Sequence, residues 1–410
     1  MAIIECRFCG EGLRHTFVNL GATPIANDML SEDQLIGMEP FYSLHVFVCE
    51  QCFLVQLPEF ESADKIFSDD YTYFSSYSPS WLDHSKNYVE MMVDRFGFNE
   101  DSFVVELASN DGYLLQYFAE HNVPVLGIEP TSNTAQVAID KGIPTLVEFF
   151  GTELGKETAN GHGKADLVLG NNVLAHVPDI NDFVGGMKEL LSDTGVITME
   201  FPHLQRLVEQ NQFDTIYHEH FSYLSFSAVT RIFAHRGLRM FDVEELPTHG
   251  GSIRIYACHE DAAFQTGKRA DDLLAREDGL GMNALPYYQG YEEKVQRVKR
   301  SLLRALIGIK EEGKSVAAYG AAAKGNTLLN YCGIGTEFID FAVDRSPHKQ
   351  GRYLPGTRIP VLDPTVINDR KPDYLIILPW NLKNEIMAQT EFIREWGGKF
   401  VVPIPDIEIL

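Results

Sequence analysis

The densest run of chemistry-bearing side chains in the 410-residue chain is Tyr217-His218-Glu219-His220, set among aromatic residues in FDTIYHEHFSYLS. An imidazole here can act as a general base, with tyrosine and glutamate orienting a substrate or polarising an oxygen. Such proton transfer contributes about 10²–10⁴-fold in rate. In an extended segment alternate side chains share a face, which predicts His218 and His220 together, opposite Tyr217 and Glu219. A metal site fits less well, because H-E-H lacks the helical spacing of H-E-x-x-H. The plain alternative is a surface strand with hydrogen-bonded histidines. Four thiols offer a second chemistry. Cys6 and Cys9 form one C-x-x-C, Cys49 and Cys52 another. Four thiolates can close a tetrahedral shell around one structural Zn²⁺ and leave no open position for catalysis. The 39-residue gap between the pairs exceeds the usual zinc-ribbon spacing. Two disulfides or a redox pair are the alternatives, but a cytoplasmic chain disfavours disulfides. Cys258 and Cys332 are isolated and read as small buried apolar side chains.

These groups need elements to hold them. FVVELASNDGYLLQYFAE reads as a buried strand from Phe103, a small-residue turn and an amphipathic helix, and VPVLGIEP as a second strand ending in Glu129. Strand, turn, helix, strand and an acid about 20 residues after the turn form the layout of a nucleotide-binding α/β unit. The turn is not G-x-G-x-x-G. Glu106 ends the strand, and Ala108, Asn110 and Gly112 shape a polar turn. That suits a ligand bearing ammonium and carboxylate groups, such as S-adenosylmethionine, better than a pyrophosphate, with Glu129 accepting from ribose hydroxyls. Further strands follow in ADLVLGNNVLAHVPD, GVITMEFPHL and GGSIRIYA. Asn171 and Asn172 fall at a strand's carboxyl end, where open α/β sheets bind ligands. His176 lies just beyond, able to join the same site. Tyr71, in DDYTYFSSYS, reads as a packed aromatic or a lid.

Past a helical connector whose Val295, Val298, Leu302, Leu306 and Ile309 keep helical spacing, KSVAAYG and AAAKGNTLLNYCGI read as strand and helix. The turn resembles a phosphate loop, yet Walker A needs lysine where Asn326 stands, so NTP hydrolysis is not expected. A strand ending in Asp344, a basic Gly/Pro-rich loop and a strand before Trp380 and Asn381 complete a second, smaller Rossmann-like unit. Lys324, Asn326, Lys349, Arg352 and Asn381 are its candidates for holding a substrate diphosphate.

The net charge of −24 sits entirely in residues 1–312, which carry 23 basic and 47 acidic side chains. Residues 313–410 hold 11 of each, and 313–361 has six basic against three acidic, the natural place for an anionic ligand. The acidity, and the absence of Lys or Arg from residues 15–64, argue against nucleic-acid binding. With no run of 18 apolar residues and no signal-peptide pattern in MAIIECRFCG, a soluble cytoplasmic protein is expected. A monomer is compatible with the sequence.

Taken together, E-L-A-S-N-D-G, N-N-V-L-A-H-V, Y-H-E-H-F-S-Y, G-G-S-I-R and G-A-A-A-K-G-N-T-L-L-N resemble the sugar C-methyltransferase family over nearly the whole chain. The resemblance implies methyl transfer from S-adenosylmethionine to a carbon beside the keto group of a nucleoside-diphosphate-linked 4-keto-6-deoxyhexose, C3 being the expected position. It implies His220 as base, Tyr217 and Glu219 as its neighbours, and His176 and Tyr71 as further active-site positions. The fold class expected is α/β: a zinc-binding domain (1–70), a central Rossmann-like methyltransferase domain (71–260), a helical connector (261–312) and a Rossmann-like substrate domain (313–410). An O- or N-methyltransferase is the runner-up. An NAD-binding oxidoreductase using Asp344 and a non-catalytic sugar-binding scaffold stand behind it.

Overall fold

Continuous apolar runs become strands covered on both faces, as parallel sheets require. The computed structural model describes residues 4–60 and 73–410. Its strands, in chain order, are β1 (His15–Thr23), β2 (Tyr42–Val48), β3 (Val55–Gln56), β4 (Val104–Leu107), β5 (Val125–Ile128), β6 (Thr145–Leu146), β7 (Ala165–Asn171), β8 (Leu191–Pro202), β9 (Ser222–Tyr223), β10 (Leu238–Leu246) and β11 (Ser252–His259). The C-terminal part adds β12 (Val316–Tyr319), β13 (Phe341–Val343), β14 (Val361–Leu362), β15 (Tyr374–Ile377), β16 (Lys399–Val402) and β17 (Glu408–Ile409).

The central sheet runs β10-β11-β8-β7-β4-β5-β6. From β8 to β6 every pairing is parallel, while β11 is antiparallel to both neighbours. The chain leaves β4 toward β5 and β6, then returns to β7 on the other side. That reversal opens a crevice outside the carboxyl ends of β4 and β7, the ligand position of open α/β sheets. The C-terminal sheet, β14-β13-β12-β15-β16-β17, repeats the pattern, reversing between β12 and β15, with only β17 antiparallel. The fold is α/β with two Rossmann-like sheets.

The third sheet joins the N-terminal segment to the middle of the chain. It is antiparallel, ordered β1-β2-β3-β9, and β9 comes from the middle of the chain. The Tyr217–His220 segment therefore leads straight into a strand of the cysteine-bearing sheet. One hydrophobic core continues from Phe17, Leu44 and Val46 through the helix Tyr291–Glu311 to Val316, Ile376 and Val401. The predicted stripe Val295, Val298, Leu302, Leu306 and Ile309 is the buried face of that helix. Among the described residues no helix is long and apolar enough to cross a membrane.

Leu302 is fully buried at the centre of this shared core. Leu302→Ala is expected to destabilise the chain by about 2–5 kcal/mol, read as a lower urea midpoint.

Candidate active site

The turn after β4 is held in an uncommon shape. Ala108 (φ 55), Asn110 (φ 50) and Gly112 (φ 73) all take left-handed backbone. Non-glycine residues pay about 1–2 kcal/mol for that, so surrounding bonds must impose it. Asn110 N–H donates to Glu129 Oε2 at 2.9 Å. The Asn110 side chain accepts from Ser75 N–H at 2.9 Å and donates to the Tyr73 carbonyl at 3.1 Å. A Cβ on Gly112 would lie 3.2 Å from Ala138 Cβ, and one on Gly127 2.4 Å from Ser109 Oγ, so turn and β5 touch through glycines. Glu106 is fully buried, with the buried Tyr113 hydroxyl as its hydrogen-bonding neighbour. Burial holds it well above the usual carboxylate range, and Asp111 and Glu129 add to the effect. A buried carboxyl with a single hydroxyl partner keeps acceptor capacity for a ligand or solvent. Two further acids beside it favour a cationic ligand, as a sulfonium with an ammonium group would be. Glu129 also accepts from Thr131 N–H and Oγ–H, so both of its oxygens already brace the turn. Each keeps lone-pair capacity for a ribose hydroxyl.

At the end of β7, Asn172 is left-handed (φ 56) and its N–H donates to the Glu200 carbonyl at 2.7 Å. The Asn171 amide lies against the Tyr113 hydroxyl, and Asn172 Oδ1 is buried without a partner among the described residues. The loop continues to His176, whose ring meets that of His220 edge-on, 4.6 Å between centroids. Burial lowers the His176 pKa to about 4.

Tyr217 to His220 form a turn, closed by His220 N–H donating to the Tyr217 carbonyl at 2.9 Å. The expectation of an extended segment pairing His218 with His220 is therefore corrected. His218 faces the Ser43 carbonyl and the Tyr42 ring, while the Tyr217 ring lies 4.0 Å from that of His220. His220 Nδ1 lies 2.7 Å from the Thr215 carbonyl oxygen. A carbonyl only accepts, so Nδ1 carries the proton and Nε2 keeps its lone pair. Burial, with His176, Lys324 and His249 nearby, holds His220 well below its ordinary pKa, so the imidazole is neutral. Glu219 accepts from Asn27 Nδ2 at 2.6 Å. Burial pushes its carboxyl up to about 7, against the pull of Asn27 and Lys349. Tyr71 lies outside the described residues.

The second Rossmann-like unit closes the other side. Lys324 Nζ donates to Asn381 Oδ1 at 2.9 Å and sits 5.2 Å from the Trp380 ring centroid. Trp380 Nε1–H donates to buried Asp214 at 2.7 Å. Thr327 Oγ–H donates to the Ile216 carbonyl at 3.0 Å, fixing the helix Ala323–Cys332 against the Tyr217 turn. Lys349 Nζ donates to the Ala321 carbonyl at 2.9 Å. Two of the predicted diphosphate ligands face elsewhere. Asn326 donates to the Ala26 carbonyl at 2.5 Å and Arg352 to the Met29 carbonyl at 3.4 Å. Asp344 accepts from the backbone N–H groups of Ala321 and Ser346, so both of its oxygens serve the turn, which weakens the dinucleotide reading. The sequence reading passed over Asn27, Asp214 and His249. Only His249 carried a local signal, a histidine directly ahead of two glycines at the mouth of a strand.

The four N-terminal cysteines are brought together. Their sulfur atoms all lie within 4.8 Å of one another, with Cys6–Cys52 and Cys9–Cys49 at 3.5 Å, and none is in a disulfide. Zn–S bonds of 2.3 Å imply sulfur separations of about 3.8 Å, so the set fits tetrahedral Zn²⁺. Gln56 Nε2–H donates to Cys6 Sγ at 3.0 Å, the outer support a thiolate ligand needs. Bound zinc would supply cross-linking and no chemistry. Between the first two ligands Arg7 donates to the Pro178 and Leu57 carbonyls and covers the Phe221 ring, next to His220.

Family models match three consecutive stretches: a zinc binding domain over residues 6–67, a methyltransferase domain over 83–243 and a C-methyltransferase C-terminal domain over 247–405. The C-methyltransferase NovU of Streptomyces niveus is 37% identical over 408 residues, covering 100% of this chain and 97% of that protein. Among solved structures, the PH0226 protein of Pyrococcus horikoshii OT3 aligns with a TM-score of 0.37 at 12% identity, over 49% of this chain and 99% of that one. Magnesium protoporphyrin IX methyltransferase from Synechocystis PCC 6803 aligns with a TM-score of 0.34 at 15% identity, over 48% of this chain and 88% of that one.

Metal analysis is expected to find one zinc per chain, lost in Cys49→Ser together with thermal stability and turnover, because Arg7, which lies between two of the ligands, then loses its anchorage. Glu219 ionises as pH rises through about 7, and its charged form is the one that accepts from Asn27 and faces Lys349. The ratio kcat/KM should therefore rise across that pH, and Glu219→Gln should flatten this limb of the pH profile.

Proposed function

The chain belongs to the C-methyltransferase family, and from that premise we propose that it methylates a carbon beside the keto group of a nucleoside-diphosphate-linked 4-keto-6-deoxyhexose, at C3. Bound S-adenosylmethionine supplies an electrophilic methyl group on a sulfonium. The residues of the chain do the rest. Glu106, Ala108, Asn110, Gly112, Glu129, Asn171 and Asn172 line the crevice that takes the methyl donor. His220 Nε2 removes the proton next to the carbonyl, and a carbon acid needs such a base before it can attack. Tyr217, Glu219 and His176 surround that imidazole and orient the sugar; Tyr71 is assigned to the same group. Lys324, Lys349 and Asn381 approach from the C-terminal sheet and favour an anionic diphosphate. Asn326 and Arg352 brace that surface against the N-terminal domain.

The observation that carries the reading is the His220–Thr215 bond, which leaves a neutral imidazole lone pair at the junction of donor crevice and C-terminal sheet. Holding carbon and methyl in line there supplies much of the acceleration.

The test is incubation with S-adenosylmethionine labelled with ¹³C in the methyl group and a panel of thymidine, uridine, cytidine and guanosine diphosphate 4-keto-6-deoxyhexoses, with NMR of the products. The expected product bears the label on a ring carbon. Label on oxygen or nitrogen would replace the assignment with O- or N-methylation. In D₂O the sugar C–H should exchange on the enzyme, and His220→Asn should slow exchange by about 10²–10⁴-fold.

A further inference from the structure

His249 stands at the same junction with no role in that scheme. It is a non-glycine residue in left-handed backbone, φ 54 and ψ 21. Strain of this kind persists where the surroundings over-determine it, and it gathers at functional sites. The surroundings are visible on both sides. Thr248 Oγ–H donates to Glu200 at 2.9 Å, and Glu200 is held in turn by His84 and Arg254, each at 2.9 Å. After His249 the backbone presses on its neighbours. A Cβ on Gly250 would lie 2.5 Å from Trp380 Cη2, and one on Gly251 2.7 Å from Arg206 Cγ. The imidazole is thereby set beside Asn172 of the donor crevice, while the next residue, Gly250, packs against Trp380 of the C-terminal unit.

Its hydrogen bonding defines what it can offer. Asn172 Nδ2 lies 3.2 Å from His249 Nε2. An amide nitrogen only donates, so Nε2 accepts and the ring proton sits on Nδ1. His220 has its proton on Nδ1 too, but there Nδ1 is bound and Nε2 is free. The two rings are complementary: one presents a lone pair, the other an N–H. The Trp81 ring shields His249 edge-on at 5.3 Å. Burial and Lys324, with a smaller effect from His84 and against Glu200, lower its pKa to about 4, so it is neutral when His220 is neutral.

We propose that His249 is a catalytic hydrogen-bond donor, its Nδ1–H holding the sugar carbonyl oxygen while His220 Nε2 takes the proton from the adjacent carbon. The step balances. The C–H bond breaks, its proton goes to His220, and its electron pair is shared with the carbonyl oxygen. That oxygen gains charge against His249. The pair then forms the new C–CH₃ bond as the S–CH₃ bond breaks, and a thioether leaves. A fixed donor aimed at an oxygen that charges only in the transition state acts where stabilisation is most effective.

This inference rests on the reaction proposed above, and the test separates the two. His249→Gly and His249→Asn both suit left-handed backbone, but only asparagine can place an N–H near the position of Nδ1. With the nucleotide 4-keto sugar that the panel identifies, His249→Gly is expected to lower kcat and C–H exchange by about 10²–10³-fold. His249→Asn should recover at least tenfold of that loss. KM for the sugar and the Kd of S-adenosylhomocysteine should stay within about threefold in both, because the interaction belongs to the transition state. Unchanged exchange in His249→Gly, equal loss in both variants, or a collapse of S-adenosylhomocysteine affinity matching the loss of rate would each overturn the assignment. Absent exchange and absent carbon methylation in the wild type would instead reject the reaction itself.

Discussion

A neutral imidazole with its lone pair turned into a water-poor junction is the condition on which the rest of this molecule converges. His220 meets it through one bond, from Nδ1 to the Thr215 carbonyl. The bond fixes the tautomer, and burial removes the competing charged form. Every cation nearby works in the same direction: Lys324 disfavours an imidazolium beside it. The geometry that frees Nε2 and the electrostatics that keep it unprotonated are set by the same packing.

That packing comes from three sheets, none of which contains the Tyr217 turn. The Tyr217 turn has no regular structure of its own, yet its neighbours are tied in all directions. The N-terminal segment takes the following residues into its antiparallel sheet as β9, and its loops supply Asn27 to Glu219 and lay Arg7 over Phe221. The C-terminal sheet reaches back through Thr327 to Ile216 and through Trp380 to Asp214. The central sheet contributes the crevice and His176. A zinc site whose thiolates are closed to substrate thus has a physical connection to the Tyr217 turn. It fixes the knuckle from which Arg7 reaches the Pro178 carbonyl and the Phe221 ring, close in sequence to His176 and His220.

The charge distribution takes on a more specific meaning. The acids of the first 312 residues include Glu106, Asp111 and Glu129, which cluster at the crevice beyond β4 and would suit a cationic ligand. The basic stretch near the C-terminus divides its work. Lys324 and Lys349 face the junction, whereas Arg352 and Arg358 donate to the carbonyls of Met29 and Leu35 and hold the N-terminal segment in place. Net charge locates a region; the hydrogen-bond acceptors around each side chain decide which charges are left for a ligand.

Much was legible in order along the chain. The apolar runs became the strands of two Rossmann-like sheets, and Glu106, Asn110, Gly112 and Glu129 fell at strand ends and turns. Two C-x-x-C pairs made one cluster despite their separation, and the stripe from Val295 to Ile309 became a buried helix face. These are local rules: period, turn chemistry and ligand type follow from residues close in sequence. His218 and His220 show where such rules stop. Alternation along an extended strand put them on one face, but the segment is a turn, because Phe213 to Ile216 are buried between sheets and the chain must reverse to enter β9. Asn326 and Arg352 looked like anion ligands until Ala26 and Met29, some 300 residues away, claimed their donors. His249 gained significance only when Asn172 and Trp380 came beside it. The sequence by itself determined which chemistries were available and which elements would carry them. Which nitrogen of each histidine stays free was decided by the tertiary structure alone, because that depends on backbone oxygens and amides brought into contact from distant parts of the chain.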